Sequence, residues 1–243
     1  MKHTTASSAS MVDACCIQFS LLLRTPEAAK RPTAQGCANV LWALATMKLL
    51  PTSTSLINAC CERFSNLMKS SEAAKRPTAQ DVANLLWALA VLEHVPSANR
   101  FLDLCCELFH TLVVNAKAQN VANVLWALSK LKHAPNDEVA MTMITKTVAL
   151  CHIPGQQPTV QGISNVLLAC ADLRLDVKQA HVDTLVSHLF SLDQEQANHQ
   201  VYVNAAMSLA VMGLLRNETF GLLLSGLSNS LLVVLLGQLA LWD

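Results

Sequence analysis

Arg31-Pro32-Thr33-Ala34-Gln35, followed by Ala38-Asn39-Val40-Leu41-Trp42-Ala43-Leu44, decides how this chain is read, because the phrase returns almost unchanged. It stands again at Arg76-Pro77-Thr78-Ala79-Gln80 with Ala83-Asn84-Leu85-Leu86-Trp87-Ala88-Leu89, and at Ala118-Gln119 with Ala122-Asn123-Val124-Leu125-Trp126-Ala127-Leu128. Weaker copies lie at Gln161 with Ser164-Asn165-Val166-Leu167-Leu168-Ala169, and at Gln200 with Asn204-Ala205-Ala206-Met207-Ser208. The repeated asparagines are 45, 39, 42 and 39 residues apart. A period of that size marks a solenoid, in which each supersecondary unit buries its apolar face against the next. Solenoids work chiefly by presenting a long surface to a partner, so the repeat favours a binding module over an enzyme.

Each unit reads as two helices, which makes the fold all-α: a right-handed α-solenoid of stacked helical hairpins of 39–45 residues each. The A helices are expected near 33–48, 78–92, 117–132, 159–173 and 198–214, within a solenoid spanning 12–215. The B helices are expected near 12–23, 54–69, 98–114, 137–151 and 178–191, and from 218 onward. Pro51, Pro96 and Pro135 each sit nine residues past a repeated Trp and are expected to end helix A, since proline cannot continue a helix. The Ser/Thr-rich residues 1–11 are expected to be disordered, and 216–243 to form an apolar helix of an incomplete further repeat.

The chain is 52% apolar and 14% charged, with a formal net charge of zero, so no global field draws it to a polyanion. The average conceals an asymmetry. Residues 1–80 carry 9 Lys/Arg against 4 Asp/Glu, and residues 81–243 carry 8 against 13, so any anion-binding surface is expected in the N-terminal part. Six of the nine cysteines form pairs 45 residues apart: Cys15-Cys16, Cys60-Cys61 and Cys105-Cys106. Recurrence at equivalent positions, an odd total and no apolar leader point to buried thiols in a reducing compartment rather than to disulfides or secretion. Adjacent cysteines on a helix diverge by about 100°, and no Cys-x2-Cys or His-x3-His spacing accompanies them, so no metal site is expected. Phe220 to Trp242 contains no charge and is long enough to span a bilayer. Ser225, Gly226, Ser228, Asn229, Ser230 and Gln238 interrupt it, so a repeat helix is favoured over membrane contact.

On a helical wheel with the repeated Asn at zero and about 100° per residue, Ala38, Val40, Leu41, Trp42, Leu44 and Ala45 fill a broad apolar arc. Trp42, Trp87 and Trp126 fall within that arc and are expected in the core, not as base-stacking platforms. The remaining face carries Gln35, Gln80, Gln119, Gln161 and Gln200, then Asn39, Asn84, Asn123, Asn165 and Asn204 one turn on. A small residue follows four places after the Asn, at Ala43, Ala88, Ala127, Ala169 and Ser208. Two positions vary: three before the Asn (Gly36, Asp81, Asn120, Gly162, Val201) and seven after it (Thr46, Val91, Lys130, Asp172, Val211). A constant framework with changing residues is what modular readout of a polymer requires.

The string Ala-Asn-(Val/Leu)-Leu-Trp-Ala-Leu, with Pro-x-x-Gln before it and Pro after it, resembles the octotricopeptide repeat. That family is known from algal and apicomplexan organelles, and its relatives include chloroplast translation and RNA-maturation factors and FAST-kinase-like mitochondrial proteins. The likeness is close in three copies, weaker in two where Leu168 and Met207 replace the Trp, and covers residues 12–215. It implies an α-solenoid that binds single-stranded organellar RNA, in chloroplast stroma or mitochondrial matrix, and steers its processing, stability or translation beside other proteins. It implies no cofactor, and base contacts from residues near the start of helix A.

Those residues suit the task chemically. The amides of Gln35/Asn39, Gln80/Asn84, Gln119/Asn123 and Gln161/Asn165 offer donor and acceptor together to a base edge. Gly36, Asp81, Asn120 and Gly162 vary and are the candidates for base discrimination. Lys30, Arg31, Lys75, Arg76 and Lys117 precede helix N-termini, where the backbone already favours a phosphate. Each feature also has a plainer reading: the asparagines as partners of a neighbouring repeat's backbone, the glutamines as helix-start polar residues, the basic pairs as solvated linker positions. The rival function is an armadillo- or HEAT-like scaffold that holds an extended peptide. An enzyme is not expected: the eight histidines are scattered, and no Gly-x-Gly-x-x-Gly or P-loop is present.

Overall fold

A Pro-Thr step sets a hydroxyl in front of the unpaired amides that open a helix, and this device recurs down the chain. Thr33, Thr78 and Thr159 have extended backbones, and their Oγ1 atoms accept from the amides of Gly36 (3.1 Å), Asp81 (3.2 Å) and Gly162 (3.1 Å). At the third copy Lys117 stands where the threonine was, and Asn120 Oδ1 instead accepts from the Lys117 amide at 3.1 Å. The structure, a computed structural model, describes residues 6–49, 54–97, 100–192 and 199–225. Among them every regular element is a helix. The A helices are α2 (Ala34–Met47), α4 (Ala79–Val91), α6 (Ala118–Lys130), α8 (Val160–Asp172) and α10 (His199–Val211). Between and around them lie α1 (Ala6–Arg24), α3 (Ser55–Met68), α5 (Phe101–Leu112), α7 (Asp137–Cys151), α9 (Gln179–Ser191) and α11 (Asn217–Ser225).

The A helices end by a device that the prolines had been expected to supply. The ninth residue after each repeated Asn adopts the left-handed conformation: Lys48 (φ 54°), Glu93 (51°), Lys132 (54°), Arg174 (54°) and Gly213 (68°). Its amide bonds back to the carbonyl of Ala45, Ala90, Ser129, Ala171 or Ala210. The next amide reaches the carbonyl of Leu44, Leu89, Leu128, Cys170 or Leu209. This is the Schellman motif, five times over. Pro96 and Pro135 come three residues after the helix has already turned, so they follow the ending and do not cause it; Pro51 lies outside the described residues.

The chain divides, within α5, into two compact units, Met1–Phe109 and His110–Asp243. In the first unit α2 lies along α4, and α3 packs on α2 and α1. Its core is Leu41 and Leu44 of α2, Ile57 and Phe64 of α3, Leu85, Leu86 and Leu89 of α4, and Phe101 and Phe109 of α5. In the second unit α8 lies between α6 and α10, α7 packs on α6 and α9, and α11 on α10. Leu125, Leu128, Met143, Ile144, Leu167, Leu185 and Leu189 fill that core. Small residues let the A helices approach: Ala83, Ala88, Ala122, Ala127 and Ala169 are buried, and a methyl group on Gly162 would stand 3.8 Å from that of Ala122.

Cys60, Cys61, Cys105 and Cys106 are free, buried thiols. Burial pushes Cys61 and Cys106 up to about 12, and Cys105 well above the ordinary thiol range. Cys60 is raised first by its hydrogen bond with Cys37, then by burial. The first pair differs: Cys15 is exposed and Cys16 half-buried on α1. Helix α1 itself begins at Ala6, so 6–11, expected to be disordered, is helical; residues 1–5 lie outside the described part. Of the apolar segment Phe220–Trp242, the description reaches Ser225 in α11. Among the described residues no helix is long and apolar enough to cross a membrane.

Candidate nucleic-acid interface

Residues at i, i+4, i+7 and i+11 share one face of a helix. On the A helices these are the repeated Gln, the repeated Asn, the Trp three places on, and the variable residue seven places on. In solvent this is the outward face. Gln35, Gln80, Gln119, Gln161 and Gln200 are exposed, Asn39 is exposed, and Asn84, Asn123, Asn165 and Asn204 are half-buried. In two copies the amides bond to each other: Gln161 Nε2 donates to Asn165 Oδ1 at 2.8 Å, and Gln200 Nε2 to Asn204 Oδ1 at 2.7 Å.

The tryptophans expected in the core belong to this face. Trp42 is 46% exposed, and Trp87 and Trp126 are half-buried. The wheel explains the correction: at 300° the Trp lies only about 60° from the Asn, at the edge of the apolar arc rather than at its centre. The exposed face is therefore rotated towards the Trp. On its far flank, the small residues Ala88, Ala127, Ala169 and Ser208 are buried between helices. In the first unit Trp42 and Trp87 meet, with ring centroids 6.4 Å apart and planes tilted by 36°. In the second, Lys130 Nζ stands 6.0 Å over the ring of Trp126.

In the first four copies the residue three places before the Asn takes part in the helix cap. Gly36 and Gly162 present their amides to Thr33 and Thr159. Asp81, only 8% exposed, accepts from the Thr78 amide (2.9 Å) and from Thr78 Oγ1 (2.8 Å). Asn120 accepts from Lys117. The side chains of Asp81 and Asn120 are thereby committed to holding helix starts.

Each unit carries a groove beside these helix starts. In the first, a groove of about 490 Å3 brings together Arg31, Gln35, Asn39, Lys75, Arg76, Gln80, Asp81 and Asn84 of the expected site, together with Thr33, Arg63 and Leu67. Lys30 and Gly36 are not in its wall. Arg31 Nε donates to the Thr25 carbonyl at 2.7 Å, and Arg63 Nε to the Pro32 carbonyl at 2.9 Å, which anchors both guanidinium groups along it. Lys75 pairs with Glu72 at 2.6 Å and Lys30 with Glu27 at 2.7 Å, both in solvent, where such pairs are weak and readily exchanged. The wall of this groove thus holds four cations and one carboxylate, Asp81, which is occupied by Thr78; Glu72, the partner of Lys75, lies outside the wall.

In the second unit a groove of about 620 Å3 brings together Lys117, Gln119, Asn123, Gln161, Gly162 and Asn165 with Gly155, Gln156, Gln157 and Thr159. Asn120 is not in its wall. Here one cation accompanies six side-chain amides. Arg63, Gln156, Gln157 and the tryptophans were not anticipated as site residues. Arg63 had a weak signal: its copies in the Cys-Cys-x-x-Phe phrase are Gln18 and Leu108, so it varies while the two cysteines and the phenylalanine do not. Among the described residues no three His, Cys, Asp or Glu side chains converge to hold a metal ion. No known protein family and no curated protein matches the chain.

Proposed function

We propose that this chain is a non-catalytic α-solenoid of octotricopeptide type, with right-handed stacking of its hairpins, that binds single-stranded RNA. In this reading it acts in a chloroplast or mitochondrion, alongside other proteins, in RNA processing, stability or translation. The carrying observation is the groove of the first unit, where Gln35, Asn39, Gln80 and Asn84 lie among Arg31, Arg63, Lys75 and Arg76. The cations hold phosphates, and the amides supply donor and acceptor to base edges. Phosphate contacts of this kind make affinity fall with salt.

A second reading, a peptide-binding scaffold like the armadillo and HEAT proteins, is favoured by the second groove, whose six amides and single cation suit an extended backbone. The test is fluorescence anisotropy of the full chain with a labelled pool of single-stranded RNA, from about 50 to 300 mM salt. Binding that weakens steeply across that range is the expected result. No binding at the lowest salt, from a helical sample, would sink the RNA reading and make the peptide scaffold the leading one.

A further inference from the structure

A large aromatic ring set in solvent on a helix surface forfeits the burial that normally stabilises it. The first unit does this fully at Trp42, which is exposed on α2, and in part at Trp87, which is half-buried on the adjacent α4. Trp42 follows Asn39 on α2 by three residues and Trp87 follows Asn84 on α4 by three, about 4.5 Å further along each axis. Both rings therefore continue the amide face that lines the basic groove, and they lie side by side, 6.4 Å between centroids. Trp42 stays 46% exposed even with its neighbour in place. The groove fixes the charge of an occupant: Arg31, Arg63, Lys75 and Arg76 line it with one carboxylate, Asp81, and the Glu72 that pairs with Lys75 from outside its wall is exposed. The rings fix its other property, a flat π face available for stacking.

We propose that Trp42 and Trp87 form a platform on which unpaired bases stack while the phosphates of the same strand lie in the groove of the first unit. This rests on the RNA reading and adds to it the form of RNA taken. Every base has a π face, so the platform accepts any sequence and the amides are left to discriminate. Duplex RNA, whose bases already stack on each other, is a poor occupant. The second unit has no equivalent pair: Trp126 lies under Lys130, and Leu168 and Met207 hold the next two positions.

The experiment titrates the full chain with a single-stranded oligouridylate and with inorganic polyphosphate, following intrinsic tryptophan fluorescence and anisotropy together. Wild type is expected to bind both, with quenching by the RNA alone. Trp42→Ala and Trp87→Ala should each weaken RNA binding roughly tenfold, leave polyphosphate binding unchanged and reduce the quench. Trp42→Phe, which keeps a ring, should recover part of the loss, and far-UV circular dichroism confirms that each variant is helical. RNA affinity unchanged in both alanine variants overturns the platform and leaves RNA binding standing. Equal losses for RNA and polyphosphate overturn it too, since they show that the rings shape the groove and do not contact bases. No RNA binding by wild type overturns both readings, and concentration-dependent self-association through this face would assign the rings to a second copy of the chain.

Discussion

The two grooves are built on the same helix starts and differ in what the connecting segments bring to them. In the first unit the Glu-Ala-Ala-Lys-Arg-Pro segment and Arg63 of α3 surround four amides with four cations. In the second, Gly155-Gln156-Gln157-Pro158 takes the place of that segment, and only Lys117 is charged. The chain's zero net charge hides this. The framework is set by the residues that repeat, whereas the electrostatic character of each groove is set mainly by the connection before helix A, with Arg63 of α3 adding to it in the first unit.

The sharpest test of the shared framework is in the cores. Leu86→Ala and Leu125→Ala remove fully buried leucines from equivalent positions of α4 and α6. Each should cost roughly 2–5 kcal/mol in unfolding free energy, read from urea melts by circular dichroism. A loss below about 1 kcal/mol at either site would break the equivalence. The difference between the grooves comes next. Replacing Arg31, Arg63 and Arg76 together by Gln should lower RNA affinity roughly a hundredfold at low salt and flatten its salt dependence. Lys117→Gln should change affinity by no more than about threefold. Matching losses would erase the contrast.

Smaller effects probe what the units share. Glu93 and Lys132 hold left-handed conformations that suit glycine. Glu93→Gly and Lys132→Gly should each raise stability by about 0.5–1 kcal/mol, relief of strain outweighing the added freedom of the unfolded chain. A destabilised variant would show that the side chain itself holds the turn. The smallest effect is a pH dependence. Burial lowers the pKa of His94 in the first unit and of His181 and His188 in the second; Lys178 adds to the effect at His181. A lowered folded value means the unfolded chain binds protons first. Stability is therefore full above about pH 6.5 and is lost as pH falls below it towards the folded values. The melting temperature should be lower by a few degrees at about pH 5.5 than at about pH 7.5, and a flat profile would refute the assignment.

Helix positions were legible because punctuation repeats: Pro-Thr before Gln35, Gln80 and Gln161 marks a start that the caps then supply. Helix ends were less so. A left-handed turn advertises itself through glycine, and only Gly213 does that here, while Lys48, Glu93, Lys132 and Arg174 carry no such sign. The amide face was legible in the constant Gln and Asn. The tryptophans were misread because apolar character was equated with burial, when their angle to the Asn already set them at the margin. Asp81 and Asn120 looked like readout residues because they vary. They vary because several residue types can cap a helix: a carboxylate, an amide, or a glycine that leaves the work to threonine. Arg63 reaches the first groove from α3, and that meeting comes from tertiary packing rather than from any local pattern.

The identical turn after every A helix bears on how such a chain grows. A gene segment copied from one left-handed residue to the next joins its neighbours through the same pair of backbone hydrogen bonds, formed here with lysine, glutamate, arginine or glycine at the seam. Duplication then needs no compensating change at the junction. Because that residue is a lysine, glutamate or arginine in four copies of five, the seam accepts either sign of charge, at the cost of a strain that Gly213 avoids.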